Sequence, residues 1–290
     1  MSRRIALLVN PTSGKGRAAR LVEPVTARLR ASGAEVVTVI GDDGADAERR
    51  AIAAVQDGVD ALVALGGDGI AHTAIQAVAE TGVPLGLVPA GTGNDLAREL
   101  RMPKDPLEAT DVILAATPRA IDGVRVGDRW FGGVLGSGFD SMVNERANTM
   151  SWPRGKSRYN LAILAELRVF KPLPFTLTLD GEVWETEAML VAVGNGTSYG
   201  AGMKVCPAAS LDDGFLDVTV LGPVPKHRFI RMFPRVYKGT HVELAEVQCR
   251  RAREVRLSSP GVIAYADGER FAALPITCTC VPGALTVLAP

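Results

Sequence analysis

Three aliphatic runs near the start of the chain each end in a glycine-rich loop, and each loop opens a helical pattern. The loops are Asn10-Pro11-Thr12-Ser13-Gly14-Lys15-Gly16, Gly66-Gly67-Asp68-Gly69 and Pro89-Ala90-Gly91-Thr92-Gly93-Asn94-Asp95. A parallel sheet brings such loops to the carboxyl edge of its strands, where helix N-termini offer free N–H groups and glycines let a ligand approach the backbone. One loop of this kind is an ordinary strand-to-helix turn. Three of them, with polar side chains among the glycines, converge on one crevice and make Asn10, Pro11, Ser13, Gly14, Gly66, Gly67, Asp68, Gly69, Gly91, Thr92, Gly93, Asn94 and Asp95 candidate ligand-binding residues.

The spacing around these loops fills in the rest of an α/β unit. Strands are expected at 4–10, 34–40, 61–65 and 83–88, and helices near 17–31, 45–56, 70–80, 94–100 and 106–115. Regular alternation of strand and helix means a doubly wound parallel sheet. From about Gly123 the grammar changes to short β-rich runs at 130–134, 175–179, 183–193, 215–221, 242–247, 255–257 and 262–265, separated by Gly, Pro and Asp turns. That pattern predicts a second, mainly antiparallel, sandwich-like β domain. Helical interruptions are expected at 157–170 and 226–236.

Composition narrows the function. Lys plus Arg equals Asp plus Glu at 32 each, so the chain lacks the overall basic field of a nucleic-acid binder, and aromatics at 5% leave few stacking platforms. Nucleic acid is therefore not expected as a partner. The four cysteines, Cys206, Cys249, Cys278 and Cys280, lack paired zinc-site spacing and read as reduced, mostly buried thiols. The apolar run from Ile5 to Val9 is too short for a signal peptide, and Pro275, Pro282 and Gly283 break the longest uncharged stretch. A cytoplasmic location is expected. Oligomeric state has no signature, and a homodimer stays open.

Neither standard nucleotide fingerprint is present, because Gly14-Lys15-Gly16 lacks Walker A spacing and no G-x-G-x-x-G follows the first strand. Asp68 would repel a bare phosphate, which suggests a bridging Mg²⁺; the alternative is a helix N-cap. Asp267, in Tyr265-Ala266-Asp267-Gly268-Glu269, reads from its spacing as a hairpin residue. Asp213, in Ser210-Leu211-Asp212-Asp213-Gly214-Phe215, reads either as a hairpin residue or as a carboxylate between carbonyls that suits a hard cation. His72, His227 and His241 have no partner at ligand or triad spacing and are expected to face solvent or cap helices.

Taken in order, Asn10-Pro-Thr-Ser-Gly, Leu65-Gly-Gly-Asp-Gly, Pro89-Ala-Gly-Thr-Gly-Asn-Asp-Leu-Ala-Arg98, Gly136-Ser-Gly-Phe-Asp140, Pro207 to Leu216 and Tyr265-Ala-Asp-Gly-Glu269 resemble the motif set of the diacylglycerol kinase catalytic domain family, nearest to its soluble bacterial members. Ile70 departs from the pattern, standing where the family usually has threonine. The resemblance implies an ATP-dependent lipid kinase that phosphorylates the free hydroxyl of diacylglycerol to give phosphatidic acid. It further implies a nucleotide between two domains and a chain end that returns to the first. The expected division is residues 1–122 with 282–290 as the α/β ATP-binding domain and 123–281 as the β-rich lipid-substrate domain.

By the same resemblance Asp267 is the proposed general base, and Glu269, Asp68 and Asp95 are candidates for the Mg²⁺ shell. Asp122 is a candidate for orienting the base or the substrate hydroxyl. A structural Mg²⁺ maps to the Asp213 side chain and the Ser210 and Phe215 carbonyls. Alternatives are a kinase for a sphingosine- or ceramide-like lipid, an NAD kinase, or an inactive nucleotide- or phospholipid-binding module.

Lys226, Arg228, Arg231, Arg235 and Lys238 interleave with Phe229, Ile230, Met232, Phe233 and Val236 without an acidic residue. A second basic segment holds Arg154, Lys156 and Arg158. Such a stretch is a candidate docking face for a peripheral, reversible, salt-sensitive contact with an anionic inner-membrane surface, and a solvated face over a packed one is the alternative. Pro234 is expected to kink or end its helix.

Overall fold

The run Ala61–Gly66 is buried at every position, as is nearly all of Arg4–Val9, and strands of that kind need cover on both faces. In the computed structural model, which describes residues 3–150, 152 and 156–290, helices supply it. The first part of the chain runs β1 (Arg4–Val9), α1 (Ser13–Ala31), β2 (Glu35–Ile40), α2 (Gly44–Gln56), β3 (Ala61–Gly66), α3 (Asp68–Val78), β4 (Leu85–Pro89), α4 (Asp95–Glu99) and α5 (Pro106–Ala115). The strands are parallel in the order β2-β1-β3-β4. The connections from β1 to β2 and from β2 to β3 run in opposite directions, so right-handed crossovers put α1 and α2 on opposite faces. The carboxyl ends of β1 and β3 thereby flank a topological switch point, the usual place for a ligand in a sheet of this type.

The second part runs β5 (Arg119–Val126), β6 (Arg129–Phe131), β7 (Val134–Gly138), α6 (Phe139–Thr149), α7 (Lys156–Val169), β8 (Leu173–Leu179), β9 (Glu182–Ala188) and β10 (Leu190–Gly194). It continues with β11 (Leu216–Leu221), α8 (Lys226–Lys238), β12 (Val247–Ala252), β13 (Glu254–Ser258), β14 (Ile263–Ala266), β15 (Glu269–Ala273) and β16 (Ile276–Leu288). An antiparallel sheet of order β12-β11-β10-β7-β14-β15 faces the antiparallel half of the first sheet. Phe131, Leu135, Phe175, Leu177, Val191, Val218 and Val255 fill the space between them. The mixed sheet with parallel strands and the separate antiparallel sheet are the fold class that the sequence pattern predicts.

β16 joins the two halves. Its first residues pair antiparallel with β13, its last pair parallel with β4 through Val287 and Leu288, and β5 runs along it on both sides of a break between Val281 and Leu285. Ten strands therefore make one continuous sheet rather than two separate ones.

Several local expectations differ from the structure. The run 130–134 splits into β6 and β7 because the Gly132 and Gly133 amides turn to the Asp267 carboxylate. The run 183–193 is two strands in different sheets, β9 and β10. Residues 240–243 form a 3-10 turn after Gly239, whose φ of 74° ends α8, and the next strand starts only at Val247. α8 continues through Pro234, held by Phe229 and Met232, which are buried on its inner face. Arg154 lies outside the described residues, as do the side chains of Lys156 and Arg158.

Candidate active site

The first loop folds on itself: the Asn10 side chain accepts from the Thr12 amide at 3.1 Å and the Thr12 hydroxyl at 2.8 Å. The chain then bends through Gly14, Lys15 and Gly16, all with positive φ, so the regular helix begins at Arg17. A methyl on Gly14 would lie 2.1 Å from the Ala90 carbonyl oxygen, and one on Gly91 would lie 2.5 Å from the Gly67 Cα. The three loops are thus in backbone contact, which only glycine permits there.

Asp68 is the bracket between two of them. Its carboxylate does not cap its own helix, where Gly67 is the N-cap, but accepts from the Asn94 amide at 2.8 Å and the Asp95 amide at 2.6 Å at the start of α4. Burial pushes the Asp68 carboxyl up to about 6, and the charges of Asp95 and Asp267 act in the same direction. Asp95 itself is engaged by Arg98 at 2.5 Å and by the Ala201 amide at 2.8 Å, while Arg98 also donates to the Gly93 carbonyl at 2.6 Å. A loop from the second part of the chain thus closes over the third glycine loop.

Asp267 comes from the turn between β14 and β15, with φ of 52°. Its Oδ1 accepts from the amides of Gly133 at 2.9 Å and Val134 at 3.3 Å, and its Oδ2 accepts from Gly132 at 3.1 Å. The His72 ring lies 3.4 Å from Oδ2. Four carboxylates of this region lie directly on glycines. A methyl would meet Asp68 Oδ2 at 2.1 Å from Gly93, Asp267 Oδ1 at 2.6 Å from Gly133, Asp140 Oδ2 at 2.0 Å from Gly136 and Glu269 Oε1 at 2.6 Å from Gly69.

These groups line one cavity of about 720 Å³. Ser13, Gly14, Gly67, Asp68, Gly69, Gly91, Thr92, Gly93, Asp95, Asp267 and Glu269 form its polar end, and Phe139, Val143, Leu190, Met203, Phe229, Met232 and Phe233 form an apolar continuation. Asn10, Pro11, Gly66 and Asn94 stand behind that wall: Asn94 closes its own loop by bonding Gly91 on both sides of its amide, and Gly66 accepts from the Ala90 and Gly91 amides. Ile70 is buried against Gly66 and contributes packing instead of a hydroxyl.

Asp122 does not line the cavity. It is buried, and its two oxygens accept from the Gly214 amide at 2.7 Å and the Gly283 amide at 3.0 Å, which ties β5 to the 210–215 turn and to the break in β16. Asn195 links this point to the Asp267 region, donating to the carbonyls of both Asp122 and Gly132 at 2.9 Å. In the 210–215 turn, the Asp213 carboxylate is paired with Arg251 and accepts from the Phe215 amide, and the Ser210 hydroxyl donates to Asp212. A cation in that turn would have to displace the guanidinium. Among the described residues, no three or more His, Cys, Asp or Glu side chains converge as a metal site.

The histidine expectation needs correcting for two of the three. His72 and His241 are buried, the first beside Asp267 and the second against the Val205 carbonyl; only His227 faces solvent. Asp140 was visible only as a motif position. In the structure it lines the cavity, Tyr199 donates to its Oδ2 at 2.9 Å, and burial pushes its carboxyl up to about 6. All four cysteines are free, and Cys249 alone is exposed.

Comparison with known proteins adds the following. Residues 4–126 match the diacylglycerol kinase catalytic domain, and residues 133–289 match the YegS C-terminal NAD kinase beta sandwich-like domain. The chain is 44% identical to a diacylglycerol kinase of Mycobacterium tuberculosis, over 99% of this chain and 95% of that protein. It is 34% identical to a probable YegS-like lipid kinase of Stenotrophomonas maltophilia, over 88% and 86%. A crystal structure of a putative diacylglycerol kinase from Bacillus anthracis superposes with a TM-score of 0.83 over 100% of this chain and 95% of that one, at 24% identity, and so speaks to the fold.

Proposed function

The chain belongs to the diacylglycerol kinase family of lipid kinases, and from that premise we propose that it transfers the γ-phosphoryl group of ATP to the free hydroxyl of diacylglycerol, giving phosphatidic acid and ADP. The observation that carries this reading is a continuous cavity, polar with glycine loops at one end and apolar at the other. A triphosphate suits the first end, where backbone approach is free, and an acyl chain suits the second. Residues 1–122 with 282–290 would then supply the nucleotide side, and 123–281 the lipid side.

In this reading the lipid hydroxyl oxygen attacks the γ-phosphorus, the bond to the β-phosphate oxygen breaks, and the hydroxyl proton passes to Asp267. The amides of Gly132, Gly133 and Val134 fix the plane of that carboxylate. Asp68, Asp95 and Glu269 bring oxygen donors and negative charge to a place that receives a triphosphate, a set that fits Mg²⁺ in chemistry. Asp68, Asp95 and Glu269 would hold it through lone pairs left over from the bonds that Asp68 accepts from the Asn94 and Asp95 amides and that Asp95 accepts from Arg98 and the Ala201 amide. When bound, the cation neutralises charge on the transferring group. Asp122 acts at a distance, by holding the turn and the β16 break beneath the site. For a cation at Asp213, a rise in melting temperature with added Mg²⁺ that Asp213→Ala abolishes is the outcome required.

Access to the lipid supports the peripheral membrane part of the proposal. Among the described residues no helix is long and apolar enough to cross a membrane. Met142, Trp152, Leu161, Val169, Ile230 and Tyr237 are exposed apolar side chains of α6, α7, α8 and the segment between α6 and α7. On α8 the five cations face solvent while Phe229, Met232 and Phe233 line the cavity, so one helix borders both the chain pocket and the basic surface.

The assay that tests the function offers ATP, Mg²⁺ and a panel of diacylglycerol, sphingosine, ceramide and NAD. Phosphatidic acid as the main product supports the reading. Phosphorylated NAD or a phosphorylated sphingoid base would replace it with one of the alternatives, and no product with any acceptor would leave the binding-module reading.

A further inference from the structure

His72 sits on α3, one turn beyond the Gly-Gly-Asp-Gly loop, and it is 4% exposed. Its two ring nitrogens face different groups. Nδ1 is 3.4 Å from Asp267 Oδ2, and Nε2 is 3.3 Å from an Nη of Arg129 on β6. The ring meets Phe271 edge-on at 5.8 Å, and the Arg129 guanidinium lies over that same phenyl ring at 4.8 Å. The acids around the ring are Asp267 and, with it, Asp68, Asp95 and Glu99, which share a small internal cavity with His72.

A guanidinium has donors only, so Nε2 must be the acceptor of its pair. The neutral ring then carries its hydrogen on Nδ1, which donates to Asp267 Oδ2. Arg129, His72 and Asp267 form a directed chain of hydrogen bonds that runs from β6 through α3 to the turn between β14 and β15. His72 does not line the large cavity, so it touches no substrate there.

We propose that His72 is the positioning residue of Asp267 and that Arg129 sets the tautomer in which it acts. The proposal rests on Asp267 being the base. The backbone amides give Oδ1 two bonds and Oδ2 one, and the imidazole is the side-chain partner that completes the set on Oδ2, so it shares with the amides in holding the carboxylate. The chain also links the two halves of the site, because α3 belongs to the parallel part and Asp267 to the antiparallel part.

Two amide substitutions separate this role from simple packing. Asparagine places its amide where Nδ1 stands and keeps the donor to Asp267; glutamine reaches the Nε2 position and keeps only the Arg129 contact. With ATP and diacylglycerol in mixed micelles, His72→Asn should retain kcat within about threefold, while His72→Gln should lose about 10- to 100-fold, with both KM values unchanged. Arg129→Met, which frees the tautomer, should fall between them, and it carries the test from the other end of the chain should the glutamine variant melt early. Equal kcat for the asparagine and glutamine variants, a loss confined to KM, or a wild-type kcat for Arg129→Met overturns the proposal. Asp267→Asn is measured alongside. If it is inactive while the two His72 variants are alike, only the positioning role fails; if it turns over normally, the base assignment fails and the positioning role with it.

Discussion

The two ends of the cavity are built in opposite ways. At the polar end, short contiguous loops do nearly everything: backbone amides receive carboxylates, and carboxylates lie on glycines, so side-chain identity matters at a few positions and backbone shape at many. At the apolar end, α6, α8, β10, β11 and the loop before β11 each contribute one or a few side chains, and none of those segments is distinctive alone. The first design gives geometry that tolerates little, as phosphoryl transfer requires. The second gives volume and greasiness, which many sequences can supply.

The contrast can be broken most sharply at the base. Asp267→Asn should lower turnover by at least about 100-fold while equilibrium ATP binding persists, since a positioned base contributes about that much. Near-normal turnover would mean that the polar end works without this carboxylate.

Asp140 also lines the cavity, and its effect should appear in stability. Its folded pKa, raised to about 6 by burial, exceeds the ordinary carboxylate value, so between about pH 4 and 6 the folded chain holds a proton that the unfolded chain has released. Stability therefore falls as pH rises through that window and levels off above it. Asp140→Asn should remove this slope and leave the variant more stable than wild type at pH 7 by up to about 3 kcal/mol, read from urea midpoints at several pH values. A slope unchanged in the variant would assign it elsewhere.

The apolar end should respond in KM alone. Leu190→Trp fills the chain pocket, so the diacylglycerol KM should rise about fivefold with the ATP KM constant, as expected where added volume displaces a ligand rather than core packing. An equal change in both constants would show that the two ends are not separable.

The smallest effect belongs to the basic rim. Arg231→Gln should weaken sedimentation with anionic vesicles by about 1 kcal/mol, leave neutral vesicles unaffected, and lose its effect at high salt. Salt-indifferent binding, or equal recovery with both lipids, removes the docking surface.

Legibility followed the same divide. The glycine loops, the doubly wound sheet and the positions of Asp68 and Asp267 could be read because each is a pattern within a few consecutive residues. The role of the Asp68 carboxylate could not, since a residue at a helix start caps its own helix by default, and here it caps α4, reached through the whole of α3 and β4. The split of 183–193 between two sheets was equally hidden, because the alternating run of β9 passes into the continuous apolar run of β10 with no Gly, Pro or Asp turn between them, and only packing decides which sheet each joins.

The sequence by itself determined the parallel sheet, its crevice and the family, through hydrophobic period, turn chemistry and six ordered motifs. Only the tertiary structure decided that β16 would carry the antiparallel half back onto β4, that scattered apolar side chains would close into one pocket continuous with the glycine loops, and that His72 would stand behind Asp267. The physical reason is separation along the chain. His72 and Asp267 are 195 residues apart, and a contact of that reach is fixed by how whole sheets pack, with no trace in the neighbours of either residue.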